Sequence, residues 1–272
     1  MSELKYKLVV SDLDGTLLNS KSEISARTLA AIERLHETGG FFTYATGRTE
    51  ESARVFAERA GIKIPGIAFN GGKVVSHIDG YVVYETFMDT KQTKDAYRIL
   101  REYGKDVIIY LDSVRYIGDY TAVIDKYLGR VRHSLYILRD IEEIPDDSRQ
   151  IKKLLVIDPK REDDLIIGSV KPIFGESLNF VMSDPEYFEF IPPGTSKGRA
   201  LEVLADYLGV PRAETIAIGD HLNDVSMISS AGLGVAVANA VREAIDAAGF
   251  ITASNDGDGV ALAIERLLRG EL

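Results

Sequence analysis

The 272-residue chain contains no cysteine, which removes disulfides, zinc–thiolate sites and thiol nucleophiles at once. Histidine is scarce as well. His36, His77 and His133 lack metal-ligand spacing and read as surface residues, and His221 is expected to be exposed with no assigned role. No apolar stretch approaches the roughly 18 residues that a membrane span requires. The N-terminal segment carries only a short apolar run before Asp12, too little for a secretory leader. With cysteine absent, this favours a cytoplasmic protein without a membrane partner. Positive charge is in deficit: 32 basic against 42 acidic residues leave a net charge of −10. Such a surface repels a phosphate backbone, so a nucleic-acid partner is not expected. No Gly-x-x-x-x-Gly-Lys-[Ser/Thr] occurs, which excludes a P-loop, and Gly232-Leu233-Gly234 lacks the third glycine of a dinucleotide fingerprint. Asp256-Gly257-Asp258-Gly259 has the look of a calcium loop, but no glutamate follows at the required position, so it reads as a turn capping the last helix.

What remains is an ordinary globular composition, 45% hydrophobic and 27% charged. The length suits one large α/β domain or a core with an inserted second domain, and either buries a sizeable core unaided. Short apolar runs alternate with amphipathic stretches, the rhythm of βα units. Residues 8–11 read as a strand buried on both faces, 24–37 as a helix, 41–45 as a strand and 50–60 as a helix. Residues 67–69 form a short strand ending in Asn70-Gly71-Gly72, and 74–84 a hairpin turning at Asp79-Gly80. From about residue 86 the rhythm changes. A helix over 91–103, hairpins over 107–118 and 178–191, a strand over 151–157 and a helix over 161–170 indicate an antiparallel α+β module. After Pro192-Pro193-Gly194 the parallel rhythm resumes, with helices over 197–208, 223–231 and 259–268 and strands over 215–218, 235–238 and 250–252. The fold class is therefore α/β, a Rossmann-like parallel-sheet core over residues 1–83 and 191–272. An α+β domain is inserted over 84–190. No tandem repeat or low-complexity segment is present.

The chemistry-bearing residues fall at expected strand ends, where open parallel sheets bind ligands. Asp12-Leu13-Asp14-Gly15-Thr16 follows the first strand. Residues two apart on an extended segment project the same way, so both carboxylates can reach one site. Such a turn is also a common surface loop, but not usually one that ends a buried strand. Paired carboxylates either raise one pKa or call for a cation. Gly219-Asp220-His221-Leu222-Asn223-Asp224 offers further oxygen donors at a second strand end, which suits a hard cation such as magnesium. Asn223 or Asp224 could equally cap the following helix. Thr46-Gly47-Arg48 opens a helix, where a hydroxyl and backbone N–H groups can receive an anion. Lys197 begins another helix. A lone lysine is usually solvated surface, but four loops converge here by topology.

Asp12-Leu13-Asp14-Gly15-Thr16, Thr46-Gly47-Arg48, Lys197 and Gly219-Asp220…Asn223-Asp224 together resemble the four motifs of the haloacid dehalogenase superfamily. The Asn70-Gly71 loop and the tail Asn239-Ala240…Asp258-Gly259-Val260 resemble its Cof-type hydrolase branch, with a C2-type cap between motifs two and three. The resemblance implies a Mg2+-dependent phosphatase of small phosphorylated metabolites, sugar phosphates first among them. It implies Asp12 as the nucleophile that becomes an aspartyl-phosphate and Asp14 as acid and base. Asp12, Asp14 through its carbonyl, Asp220 and Asp224 would serve the metal. Leu13, Thr46, Gly47, Lys197 and Asn223 would bind phosphate, and Arg48, Asn70 and Gly71 could touch substrate. The inserted domain would act as a lid that selects substrates; Tyr110, Tyr116, Tyr187 and Phe188 in it read as core. A phosphomutase of the same superfamily, or a metabolite-binding protein without turnover, are the alternatives. Oligomeric state is left open.

Overall fold

The computed structural model describes residues 4–111, 114–130, 135–138, 140–159, 168–170, 173–174, 177–184 and 186–272. In chain order the first elements are β1 (Leu8–Ser11), α1 (Ala26–Glu37), β2 (Phe41–Tyr44), α2 (Glu50–Arg59), β3 (Gly66–Ala68), β4 (Lys73–Val75) and β5 (Val82–Glu85). Next come α3 (Thr90–Glu102), β6 (Asp106–Leu111), β7 (Val114–Ile117), α4 (Ala122–Arg130), β8 (Leu135–Leu138), β9 (Ile151–Ile157), β10 (Asn179–Asp184) and β11 (Tyr187–Ile191). The chain closes with α5 (Lys197–Leu208), β12 (Thr215–Gly219), α6 (Val225–Ser230), β13 (Leu233–Ala236), α7 (Arg242–Ala247), β14 (Phe250–Ile251) and α8 (Gly259–Leu268). It divides into two compact units, one running to Glu85 and resuming over Ser196–Leu272, the other Thr86–Thr195. The divisions fall slightly beyond residues 84 and 190 for a local reason. Strand β5 pairs with β4 through Glu85, and β10 pairs with β11 through Ile191.

The first unit is built on a parallel sheet in the order β14-β13-β12-β1-β2. Its central strands are apolar on both faces, as a doubly covered sheet demands. Leu8 and Val10 pack with Leu201, Leu204 and Met227 on one side. Val9 packs with Ile32, Leu35, Ile216 and Ile264 on the other. Helix α1 starts on Ser25, whose hydroxyl accepts from the Thr28 N–H, and α2 starts on Thr49 in the same way. From β1 the chain moves outward through β2, whereas β12, β13 and β14 build the opposite direction. The order therefore reverses between β1 and β12. That reversal opens a crevice beyond the strands' carboxyl ends, and it decides where the chemistry can sit.

The inserted unit carries a six-stranded sheet, β10-β11-β9-β6-β7-β8. Its pairs are antiparallel except β7 with β8, which run parallel. A parallel neighbour needs a crossover, and α4 supplies it; neither α4 nor β8 was legible as an element. One sheet face packs Val107, Ile109, Leu154, Val156, Phe188 and Phe190 against Ala96 and Leu100 of α3. The expected helix over 161–170 and the turn at 112–113 lie mostly or wholly outside the described residues, as does His133. The 223–231 helix also differs. A 3₁₀ turn over Leu222–Asp224 precedes α6, because Asp224 turns its carboxylate back onto the loop rather than continuing a regular helix.

Candidate active site

Asp12 follows β1 directly, and its N–H still bonds to the Ile218 carbonyl of β12 at 2.9 Å. The backbone then coils. Leu17 and Leu18 donate back to the carbonyls of Asp12 and Leu13, which makes a tight loop at the sheet edge. Gly15 sits in this coil at φ +79°, where a Cβ would fall 2.5 Å from a carboxylate oxygen of Asp220. Only glycine lets the two loops approach this closely. The Thr16 hydroxyl donates to Asp220 Oδ1 at 2.7 Å and ties the same two loops together.

Lys197 stands at the first position of α5, behind the Ser196 cap. Its side chain is wholly buried, and Nζ donates to Asp12 Oδ1 and to Asp224 Oδ1, each at 2.6 Å. The other Asp224 oxygen accepts the backbone N–H groups of Asp220 and His221 at 2.9 and 3.0 Å. Asp224 is thus fully occupied in holding Lys197 and shaping the β12 loop. Oxygens of Asp12, Asp220 and Asp224 all lie within 4.8 Å of one another. Three carboxylates face one ammonium, so the cluster carries a surplus of negative charge. The titration behaviour reflects it. Burial lifts the Asp12 carboxyl well above the ordinary range; Lys197 opposes the rise, and Asp224, Asp14 and Asp220 add to it. Burial, then Asp224, pushes Asp220 up to about 6. For Lys197 burial favours the neutral amine, but Asp12 and Asp224 outweigh it and hold the ammonium charged.

The remaining predicted residues surround this cluster. The Thr46 N–H donates to the Ile67 carbonyl, and its hydroxyl accepts from the Arg48 N–H at 3.1 Å. Asn70 holds a left-handed conformation at φ 55°, and its Oδ1 accepts from Asn223 Nδ2 at 3.0 Å. Gly47 lies against Asn70, and a Cβ on Gly71, at φ +97°, would sit 2.1 Å from the Ser196 carbonyl. The second and fourth motifs are therefore locked to the Lys197 helix start through Asn70, Gly71 and Asn223. Leu13 is buried in the apolar core, so only its backbone faces the loop chemistry. Asp14 stands apart. Its side chain is 56% exposed and accepts from Arg48 Nη2 and Nε, at 2.6 and 2.7 Å. The same guanidinium lies 5.0 Å from the Phe56 ring centre. Arg48 therefore meets a site carboxylate, a partner that sequence reasoning had not assigned to it. His221, expected to be exposed, is half-buried.

Other contributors have no role assigned from sequence, Thr16 of the first motif among them. Asn239 donates to the Gly15 carbonyl at 2.8 Å and accepts from the Asn255 N–H, while Asn255 donates to the Leu18 carbonyl. Asp256 accepts from the Ser20 N–H, so this segment straps the Asp12 loop from outside. The Asp258 side chain does not cap α8, although the turn precedes that helix as expected.

The family model described as haloacid dehalogenase-like hydrolase matches residues 9–264. The Bacillus subtilis protein YxeH is 34% identical over 271 residues, covering 97% of this chain and 98% of that protein. The 5-amino-6-(5-phospho-D-ribitylamino)uracil phosphatase YwtE of the same organism is 31% identical, covering 97% and 99%. Among solved structures, a haloacid dehalogenase-like hydrolase from Bacteroides thetaiotaomicron superposes with TM-score 0.85 at 30% identity, covering 97% of this chain and 100% of that one.

Proposed function

The chain belongs to the haloacid dehalogenase-like hydrolases and is a phosphoric monoester hydrolase of that family, and we propose that it acts through Asp12 as a covalent nucleophile, with magnesium as its cofactor. The observation that carries this reading is the surplus of carboxylate over ammonium at the β1–β12 crevice. The donor set fits a small hard cation, because every available ligand is oxygen. Asp12 and Asp220 would hold the metal with the Asp14 carbonyl, and Asp224, both of whose oxygens are engaged, would support them from behind. When bound, the metal supplies charge neutralisation between the nucleophile and an anionic phosphoryl group.

The protein's own groups divide the remaining work. Lys197 fixes the Asp12 carboxylate and, with Thr46, Gly47, Asn223 and the Leu13 backbone, would receive phosphate oxygens. An Asp12 oxygen attacks phosphorus in line, the phosphorus–alkoxide bond breaks, and Asp14 gives its proton to the leaving oxygen. Water then attacks the phosphorus and loses its proton to Asp14. The bond to Asp12 breaks and inorganic phosphate leaves. For the first step Asp14 must arrive protonated and part from Arg48, and its exposed position leaves it room to do so. The substrate class is small phosphorylated metabolites, sugar phosphates or similar. Two relatives are named for an ester of a phosphorylated ribityl chain, a polyol phosphate that belongs in the same panel. The inserted unit would select among them.

Phosphate release from a metabolite panel, with magnesium and again with excess chelator, tests the reading directly. Asp12→Asn should fold normally and lose turnover by at least about 10³-fold, since the amide is nearly isosteric but a poor nucleophile. Isomerised sugar phosphate without phosphate release would identify a mutase instead. Undiminished hydrolysis after metal removal would reject the metal role.

A further inference from the structure

The inserted unit contains a buried cation that the mechanism above does not use. Arg115 on β7 is 3% exposed. Among the described residues its Nε meets no acceptor, and no carboxylate forms an ion pair with the guanidinium. The guanidinium lies over the Tyr110 ring, with Cζ 4.7 Å from the ring centre. Tyr110 lies directly opposite Arg115 across the β6–β7 ladder, and directly opposite Lys153 across β6–β9. All three side chains therefore share one face of the sheet. Lys153 Nζ lies 4.7 Å from the same ring centre and pairs with the buried Glu189 at 2.7 Å. From α4, the Tyr127 hydroxyl meets the Tyr110 hydroxyl at 2.5 Å. Arg115, Lys153 and the two phenols thus lie together on this face, with Glu189 beside Lys153.

A buried guanidinium left without a counter-charge is costly, since desolvation is not repaid. A ring face returns only part of it. Cost of this kind persists where something else supplies the missing charge. Tyr127, close enough for Arg115 to influence its phenol, also lines a cavity of about 160 Å³ together with Lys126, Glu186 and Tyr187. Open volume thus lies one side chain from the cluster. We propose that Arg115, with Lys153 and the Tyr110–Tyr127 hydroxyl pair, forms an oxyanion-binding site in the inserted unit. The ligand is a carboxylate, sulfate or phosphate group, matched by the planar fork of the guanidinium. That group is either a second acidic group of the substrate, which rests on the phosphatase reading, or a separate small anion, which does not.

The test uses the full chain and Arg115→Met. Without magnesium, millimolar sulfate is compared with chloride at equal ionic strength. The parent should melt about 2–4 °C higher in sulfate, and the variant should lose that increment. In chloride the variant should melt at or above the parent, because an uncompensated charge has been replaced by an apolar chain of similar length. A variant that melts several degrees lower and responds to sulfate as the parent does would show a structural prop against Tyr110 and overturn the site. Phosphoglycerate and glycerol phosphate, with magnesium, distinguish the sources. A loss in kcat/KM about 10- to 100-fold greater for phosphoglycerate places the anion on the substrate. Equal losses alongside the sulfate effect assign the site to a separate anion. Failure of the parent to hydrolyse either ester would exclude these two as substrates without touching the site, because the melting comparison needs no turnover.

Discussion

The two units bury charge in opposite ways. In the core, three carboxylates crowd one ammonium, and both Asp12 and Asp220 are lifted from the ordinary carboxylate range. In the inserted unit, Lys105 pairs with Asp158 at 2.8 Å and Lys153 with Glu189 at 2.7 Å, each partner nearly inaccessible. In both contacts a buried lysine meets a buried carboxylate. A lysine and a carboxylate in buried contact compensate each other, and removing one leaves the other's desolvation less well repaid. An unbalanced cluster is incomplete, and removing one of its excess charges relieves it. The difference teaches how to separate structural from functional charge in one molecule: by counting sign within a buried cluster, not by counting ion pairs.

The largest effect that could break this contrast is on turnover. Asp220→Asn removes one of the excess carboxylates while leaving an oxygen to accept from Thr16. Hydrolysis should fall by roughly 10³-fold or more as metal-borne stabilisation is lost, yet the metal-free protein should melt no lower than the parent. A variant that melts markedly lower would mean that the core cluster is a structural network like the pairs in the inserted unit. The mirror experiment belongs to the inserted unit. Lys105→Met removes the ammonium that lies 2.8 Å from the buried Asp158 and should cost about 3–5 kcal/mol in denaturant unfolding. Lys105→Met combined with Asp158→Leu should recover most of the loss. A single variant as stable as the parent would show that Lys105 does not compensate the Asp158 charge.

This contrast also explains what the sequence made legible. The core elements stand out because both faces of a parallel sheet are apolar, so Leu8–Ser11 and Thr215–Gly219 read as continuous short runs. The site residues stand out because topology puts Asp12, Thr46 and Asp220 at the ends of those runs. Partners inside the site were less legible. Nothing in Thr46-Gly47-Arg48 says that Arg48 will grip Asp14, because that choice is made by side-chain reach across two loops. The strap from Asn239 to Asn255 depends on contacts more than 200 residues apart in the chain. In the inserted unit the difficulty is of another kind. Ile151–Ile157 includes Lys152 and Lys153, both buried. Lysine ordinarily marks a solvated face, and tertiary partners, Phe87 at Lys152 and Glu189 at Lys153 among them, make burial tolerable. The edge strand β8 and its crossover α4 carry no turn signal strong enough to mark them.

The smallest effect is the dependence of stability on pH, and it sharpens the contrast most cleanly. Asp220 has its folded-state pKa raised to about 6 from the ordinary aspartate value of about 3.9, by burial first and by Asp224 second. Between those values the folded metal-free protein binds more protons at this position than the unfolded chain does. Unfolding free energy must then fall as pH rises through that window, the reverse of the usual salt-bridged carboxylate. Other carboxylates titrate nearby, so the quantity to measure is the difference between parent and Asp220→Asn. Melting temperatures of both, without metal, should converge near pH 4 and separate above pH 6, with the variant the more stable. Magnesium should close the gap from the parent's side over the same range, because the cation competes with the proton for the same oxygens. Parallel curves across the window would show that Asp220 is an ordinary surface carboxylate, and the surplus of negative charge at the core would lose one of its members.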